Sequence, residues 1–190
     1  MPKQQVSPQT MVYPAPGAMV SCAGMDGRPN IIAIAWTGVL SSRPPKVGIG
    51  VTSARHSHRL ISETGEYVIN IPSASMVEAL DYCGVVSGRD VDKFAELELT
   101  AATASILQYA PLIDECPISL ECRVEKVLSL GSHDYFVAEI VAAHIAEEWC
   151  VPGGCRPSPD PAQVIAYMAG EYYTLGSSLG SHGFSRKSDG

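Results

Sequence analysis

Residues 118–130 read ISLECRVEKVLSL, residues 131–134 read GSHD, and residues 135–145 read YFVAEIVAAHI. In the first segment Ile118, Leu120, Cys122 and Val124 alternate with Ser119, Glu121, Arg123 and Glu125. A period of two places alternate residues on opposite faces, so the segment reads as a half-buried β-strand. Gly131-Ser132-His133-Asp134 is turn chemistry, and the apolar run after it reads as an antiparallel partner. A long hairpin late in the chain makes the fold mainly β.

Working outward, the same texture recurs toward the N-terminus. GAMVSCAG and NIIAIAWT flank Met25-Asp26-Gly27-Arg28-Pro29, where Asp-Gly marks a chain reversal. Ser41-Ser42-Arg43-Pro44-Pro45 closes the second run, because proline cannot donate to a ladder. KVGIGVT and EYVINI follow as strands three and four, and VIAYMA, beyond the hairpin, adds a seventh. Short helices fall between them. Ser57 is the expected cap of a helix stopped by Gly65, Ser73 precedes ASMVEALDYC, and Asp90 is the expected cap of a short turn. Residues 1–16 read as an arm, 17–190 as one domain, and 150–163 as a Pro/Gly-rich surface connection. Six to seven antiparallel strands with short helical insertions give a small Greek-key-like barrel, with an open sheet covered on one side as the competitor.

Composition narrows the function classes. The chain has 190 residues, 46% hydrophobic and 17% charged, which excludes intrinsic disorder and a coiled coil. Its net charge of −7 and the lack of a basic stripe argue against nucleic acid as a partner. No apolar stretch approaches the ~18–20 residues of a membrane span. The first residues, MPKQQVSPQT, lack a signal-peptide core, so no membrane partner and a cytoplasmic location are expected. Cys22, Cys83, Cys116, Cys122, Cys150 and Cys155 are irregularly spaced with no C-x-x-C, and read as mostly buried, reduced thiols rather than a zinc site.

Chemistry concentrates in two places. Thr52-Ser53-Ala54-Arg55-His56-Ser57-His58 joins a strand end to a helix start, where free backbone N–H groups and a guanidinium suit an anion. Ser87-Gly88-Arg89-Asp90, with Lys93 beyond, offers close backbone approach, a hydroxyl and an ammonium. Trp36, before Thr37 and Gly38, could border a planar ring but reads more simply as core or as a dimer contact. Asn30 and Asn70 lie in apolar runs and need partners if buried. Neither G-x-S-x-G nor G-x-G-x-x-G occurs, and no catalytic residue stands out, so a bound cofactor would carry the reaction.

The succession NIIAIAWTGVLSSRPP, RHSHRLI, GEYVINIP, DYCGVVSGRDVDKF and YMAGEYYTLG, in this order, resembles flavoredoxin and the flavin reductase-like proteins. The resemblance implies an FMN-binding split β-barrel, a homodimer with FMN near the subunit interface, and a redox function. That function is NAD(P)H-dependent flavin reduction or electron transfer through bound FMN to redox protein partners. It places Asn30, Trp36, Thr37 and Gly38 along the isoalloxazine or ribityl chain, and Ser53, Arg55, His56 and Ser57 at the phosphate. Cys83, Ser87, Gly88 and Lys93 complete the pocket, and Tyr172 covers the flavin. The alternatives are a flavoredoxin-type carrier without a pyridine-nucleotide site, and a split barrel holding another ligand such as haem.

Overall fold

In a computed structural model the structure describes residues 1–154 and 157–186. The strands near the N-terminus are β1 (Ala15–Pro16), β2 (Ala18–Ala23), β3 (Pro29–Ile34), β4 (Thr37–Ser42) and β5 (Pro45–Val51). Helix α1 (His56–Thr64) leads to β6 (Glu66–Ile71), then α2 (Val77–Val85) and α3 (Lys93–Glu96). Two short strands, β7 (Ala101–Ala102) and β8 (Leu112–Ile113), precede the long hairpin of β9 (Ile118–Ser129) and β10 (Asp134–Ile145). The last hairpin is β11 (Ile165–Met168) and β12 (Glu171–Thr174), which pairs through β11 with β1.

Seven strands form one antiparallel sheet in the order β3-β2-β6-β9-β10-β5-β4. One core cluster draws Val20, Ile32, Ile49, Tyr67, Ile69, Cys122 and Phe136 together with Leu60 and Ile61 of α1. Side chains from six strands meet in one cluster only if the sheet curls on itself, so the architecture is a barrel. The barrel is split where its edge strands β3 and β4 part. Outside it, α2 and α3 cover Met19 and Ile31, and a segment around Leu107, Ala110 and Leu112 covers Val68.

Several local expectations need correction. NIIAIAWT is not one strand: β3 stops at Ile34, the chain bends through Ala35 and Trp36, and residues 37–42 form β4 against β5. Helix α1 begins two residues earlier than expected, with Arg55 at its N-cap, while Ser57 turns inward inside the first turn. The cap of α3 is Asp92, not Asp90, and it accepts from the N–H groups of Phe94 and Ala95. Ser73 makes no capping bond, and a 3₁₀ turn (Ala74–Met76) precedes α2. Gly65 does terminate α1, at φ 69°, in the left-handed region that glycine adopts without strain. VIAYMA does form a strand, but outside the seven-stranded sheet.

The supposed solvent face of β9 is buried at its start. Glu121 is fully buried and accepts from the N–H groups of Ser105, Ile106 and Leu107 at 2.7–3.0 Å, and from Ser105 Oγ at 2.7 Å. His144 Nε2 lies 2.7 Å from the same carboxylate. Glu66 accepts from the next two amides, Gln108 and Tyr109. Asn70, also fully buried, donates to Met19 O and Ser21 Oγ and accepts from Ile113 N and Ser119 Oγ. These side chains substitute for a sheet neighbour, because the connection over β6 and β9 has almost no ladder of its own. Cys22, Cys83, Cys116 and Cys122 are buried and free, Cys150 is half-buried and free, and Cys155 lies outside the described residues. No helix among the described residues is long and apolar enough to cross a membrane.

Candidate functional site

β5 delivers the chain to a turn at Thr52, whose carbonyl accepts from Arg55 N, and α1 starts at once. No side chain caps α1, so its first N–H groups remain available at the mouth of the turn. From the other side, the segment between α2 and α3 brings Ser87, Gly88 and Arg89 against β3. A cavity of about 270 Å³ lies between them. Asn30, Arg55, His56, Ser57, Cys83, Ser87, Gly88 and Lys93 all line it. Eight of the positions named from sequence thus share one wall system, although they come from four separate parts of the chain.

The electrostatics of this corner are one-sided. Arg55, Arg89 and Lys93 line it and no carboxylate does, although the chain as a whole carries −7. Lys93 is only 3% exposed. Its Nζ donates to the carbonyls of Ile31 at 2.7 Å and Cys83 at 2.8 Å, which leaves one N–H for the cavity. No carboxylate among the described residues lies within 4 Å of it. Burial lowers its pKa, and nearby Arg55 adds to that. A buried ammonium without a counter-charge is costly, and an anion in the cavity removes that cost. Burial likewise lowers the His56 pKa, with help from Arg59, Arg89 and Lys93, and it raises the Cys83 thiol to about 11. Cys83 is therefore a neutral wall and not a nucleophile.

Close packing shapes the pocket. Asn30 Nδ2 donates to Ser57 Oγ at 2.7 Å, both residues being buried. A Cβ at Gly88 would overlap the Asn30 carboxamide oxygen, so only glycine lets the loop approach this closely. Two buried side-chain atoms among the described residues have no hydrogen-bond partner, Thr37 Oγ1 and His56 Nδ1. Both belong to residues expected at the site, and such orphans are rare unless something outside the chain serves them.

Trp36 lines a neighbouring cavity of about 190 Å³ with Thr52, Arg55 and His133. It is 48% exposed, which overturns its reading as a core residue. Arg55 and Ile32 line both cavities, so the two join along β3. Because β3 pairs only with β2 in the sheet, its outer edge also presents unpaired backbone groups. Tyr172 lines a third cavity, of about 290 Å³, and donates to Asp81 Oδ1 at 3.0 Å. Burial first, then Asp81, raises its pKa to about 12. Thr37, Gly38 and Ser53 line none of the three, and Gly38 and Ser53 are exposed. Sequence reading missed His133, which sits on the β9–β10 turn and carries no local sign of a site. His58, two residues beyond His56, contacts Asp134 at 2.8 Å.

Three solved or curated relatives set this geometry in context. The chain is 32% identical to the flavoredoxin of Desulfovibrio vulgaris (Miyazaki F), with a TM-score of 0.88 over 96% of this chain and 98% of that one. It is 31% identical to flavoredoxin from Methanosarcina acetivorans, with a TM-score of 0.87 over 97% of each chain. An uncharacterized protein of Archaeoglobus fulgidus is 31% identical over 151 residues, which is 80% of this chain and 83% of that protein. The profile of the flavin reductase like domain matches residues 10–176. On its barrel, its relatives and that match, the chain belongs to the flavin reductase like domain family.

Proposed function

We propose that the corner at the start of α1 holds the phosphate of FMN, and that the protein is an FMN-dependent oxidoreductase. The observation that carries this reading is Lys93, a buried ammonium whose near neighbours are carbonyls and whose remaining donor faces a cavity without carboxylates. Ser57, Ser87, Arg55 and the uncapped α1 amides would add hydrogen bonds to the phosphate. The cavity at Trp36, with the free edge of β3, would receive the ring. When bound, FMN supplies the hydride or electron transfer, and no side chain of this protein has to act as a general acid. The protein's part is to neutralise the phosphate, to fix the ring against β3, and to shield it from water.

Two solved structures more than 30% identical to this chain are named flavoredoxins. That favours electron transfer to a protein partner as a second reading beside NAD(P)H-dependent flavin reduction. The purified protein should be yellow or become so with FMN. Anaerobic NADH or NADPH should bleach it within seconds if it is a flavin reductase. Inertness to both, with bleaching by a reduced protein partner, selects the carrier. Failure to bind FMN overturns both. The exposed Trp36, Val39 and Leu40 at edge strand β4 are the surface on which a second copy would complete a homodimer.

Two substitutions probe the corner. Arg55→Ala should loosen FMN about tenfold, the low end for a charge-assisted bond because Arg55 is exposed. Gly88→Ala should displace Asn30 and break its bond to Ser57, which loosens FMN about tenfold or more while the barrel stays folded. Fluorescence titration of FMN and a thermal melt check both.

A further inference from the structure

Trp36 is large, half exposed and next to a cavity, a combination that normally leaves a side chain free to swing. Here it is held from two sides. Its Cβ and ring edge pack over Gly50, where an added Cβ would stand 3.5 Å from Trp36 Cβ. Its indole meets the His133 imidazole with ring centroids 4.4 Å apart and planes tilted by 40°. His133 is itself anchored. Its Nδ1 lies 2.9 Å from Ser132 Oγ, and its carbonyl accepts from Leu130 N at 3.0 Å in the turn opened by Gly131 at φ 94°. Both rings line the same cavity, together with Thr52 and Arg55.

We propose that His133 is a positioning residue: from the tip of the β9–β10 hairpin it fixes the Trp36 indole as a pre-set wall of the ring cavity. The inference rests on the FMN reading given above. Ligand binding to a pre-set wall avoids the cost of ordering a mobile indole at the moment of association. The hairpin tip thereby acquires a role that its distance in sequence from Trp36 conceals. His133 acts through Trp36 and need not touch the ligand.

A double-mutant cycle separates this role from a direct contact or a structural one. His133→Ala should weaken FMN about fivefold in a fluorescence titration, and His133→Phe, which keeps a ring against the indole, should restore it to within about twofold. In a Trp36→Ala background the His133→Ala change should have no further effect. Near-UV circular dichroism of the ligand-free protein should lose the Trp36 band in His133→Ala, keep it in His133→Phe, and retain the band of buried Trp149 in both. FMN affinity unchanged in His133→Ala, or an equal loss with and without Trp36, would overturn the proposal. If the wild type fails to bind FMN, the FMN reading falls by itself. The circular dichroism then decides the positioning role: an unchanged Trp36 band sinks it, and a lost one upholds it.

Discussion

Replacing Lys93 by methionine should weaken FMN binding about 30- to 150-fold, the worth of about 2–3 kcal/mol for a charge-assisted bond to phosphate. Methionine keeps the length and most of the volume of the stem, so the effect isolates the ammonium. The ligand-free protein should respond far less. Methionine leaves the carbonyls of Ile31 and Cys83 without their donor but also removes a buried charge that has no carboxylate partner, and these effects oppose each other. The melting temperature without ligand should therefore move by no more than about 5 °C. The pH dependence follows from the sign of the shift. Burial lowers the Lys93 pKa from 10.5, so between the lowered value and 10.5 the unfolded chain holds more protons than the folded one. Through this group, ligand-free stability rises with pH across that window, whereas affinity for phosphate falls. Equal FMN affinity in wild type and Lys93→Met would remove the basis of the site assignment.

Glu121→Ala should be among the most damaging polar substitutions to stability. It leaves the amides of Ser105, Ile106 and Leu107 and the ring of His144 without their acceptor inside the protein. Unsatisfied buried donors cost about 1–3 kcal/mol each and do not add fully, so a loss of about 4 kcal/mol is expected. For a domain of this size that lowers the melting temperature by about 8–16 °C. Hydrogen exchange should quicken first at residues 105–107. Burial alone would raise the Glu121 pKa, but hydrogen bonds from Ser105, His144 and Leu107 prevail and hold it at about 2, against an ordinary 4.5. A depressed carboxylate pKa stabilises the fold above 4.5, and that contribution drains away as pH falls from 4.5 toward 2. The wild-type melting temperature should drop across this interval, and the Glu121→Ala variant should show a shallower drop. Glu121 lines none of the three cavities along β3, so FMN affinity of the folded variant at low temperature should match wild type within about twofold.

The barrel was legible because its signals are local. Alternation in residues 118–125, turn residues at 26–27 and 131–134, and Gly65 after an amphipathic run each depend on near neighbours in sequence. The errors have a common physical origin. Ser119 and Glu121 look solvent-facing because they are polar, yet a segment distant in sequence folds over them and supplies backbone donors. Residues 37–42 lack a buried face, so β4 left no hydrophobic trace of its own. Asp90 and Asp92 are equal candidates to cap α3 on composition, and only the backbone path separates them. At the site, Arg55, Ser57, Gly88 and Lys93 were readable as anion-binding chemistry, but their convergence on one cavity required the fold. His133 and Asp81 could not be found from sequence, since each gains its meaning from one ring far away in the chain.

Calorimetric titration of the ligand-free protein with FMN and, separately, with riboflavin tests the central claim most directly, because the two ligands differ only in the phosphate. If the Lys93 corner binds that group, FMN should bind at least about 100-fold more tightly than riboflavin, from two or more charge-assisted bonds. Equal affinity for both ligands, or binding of neither, would contradict the account.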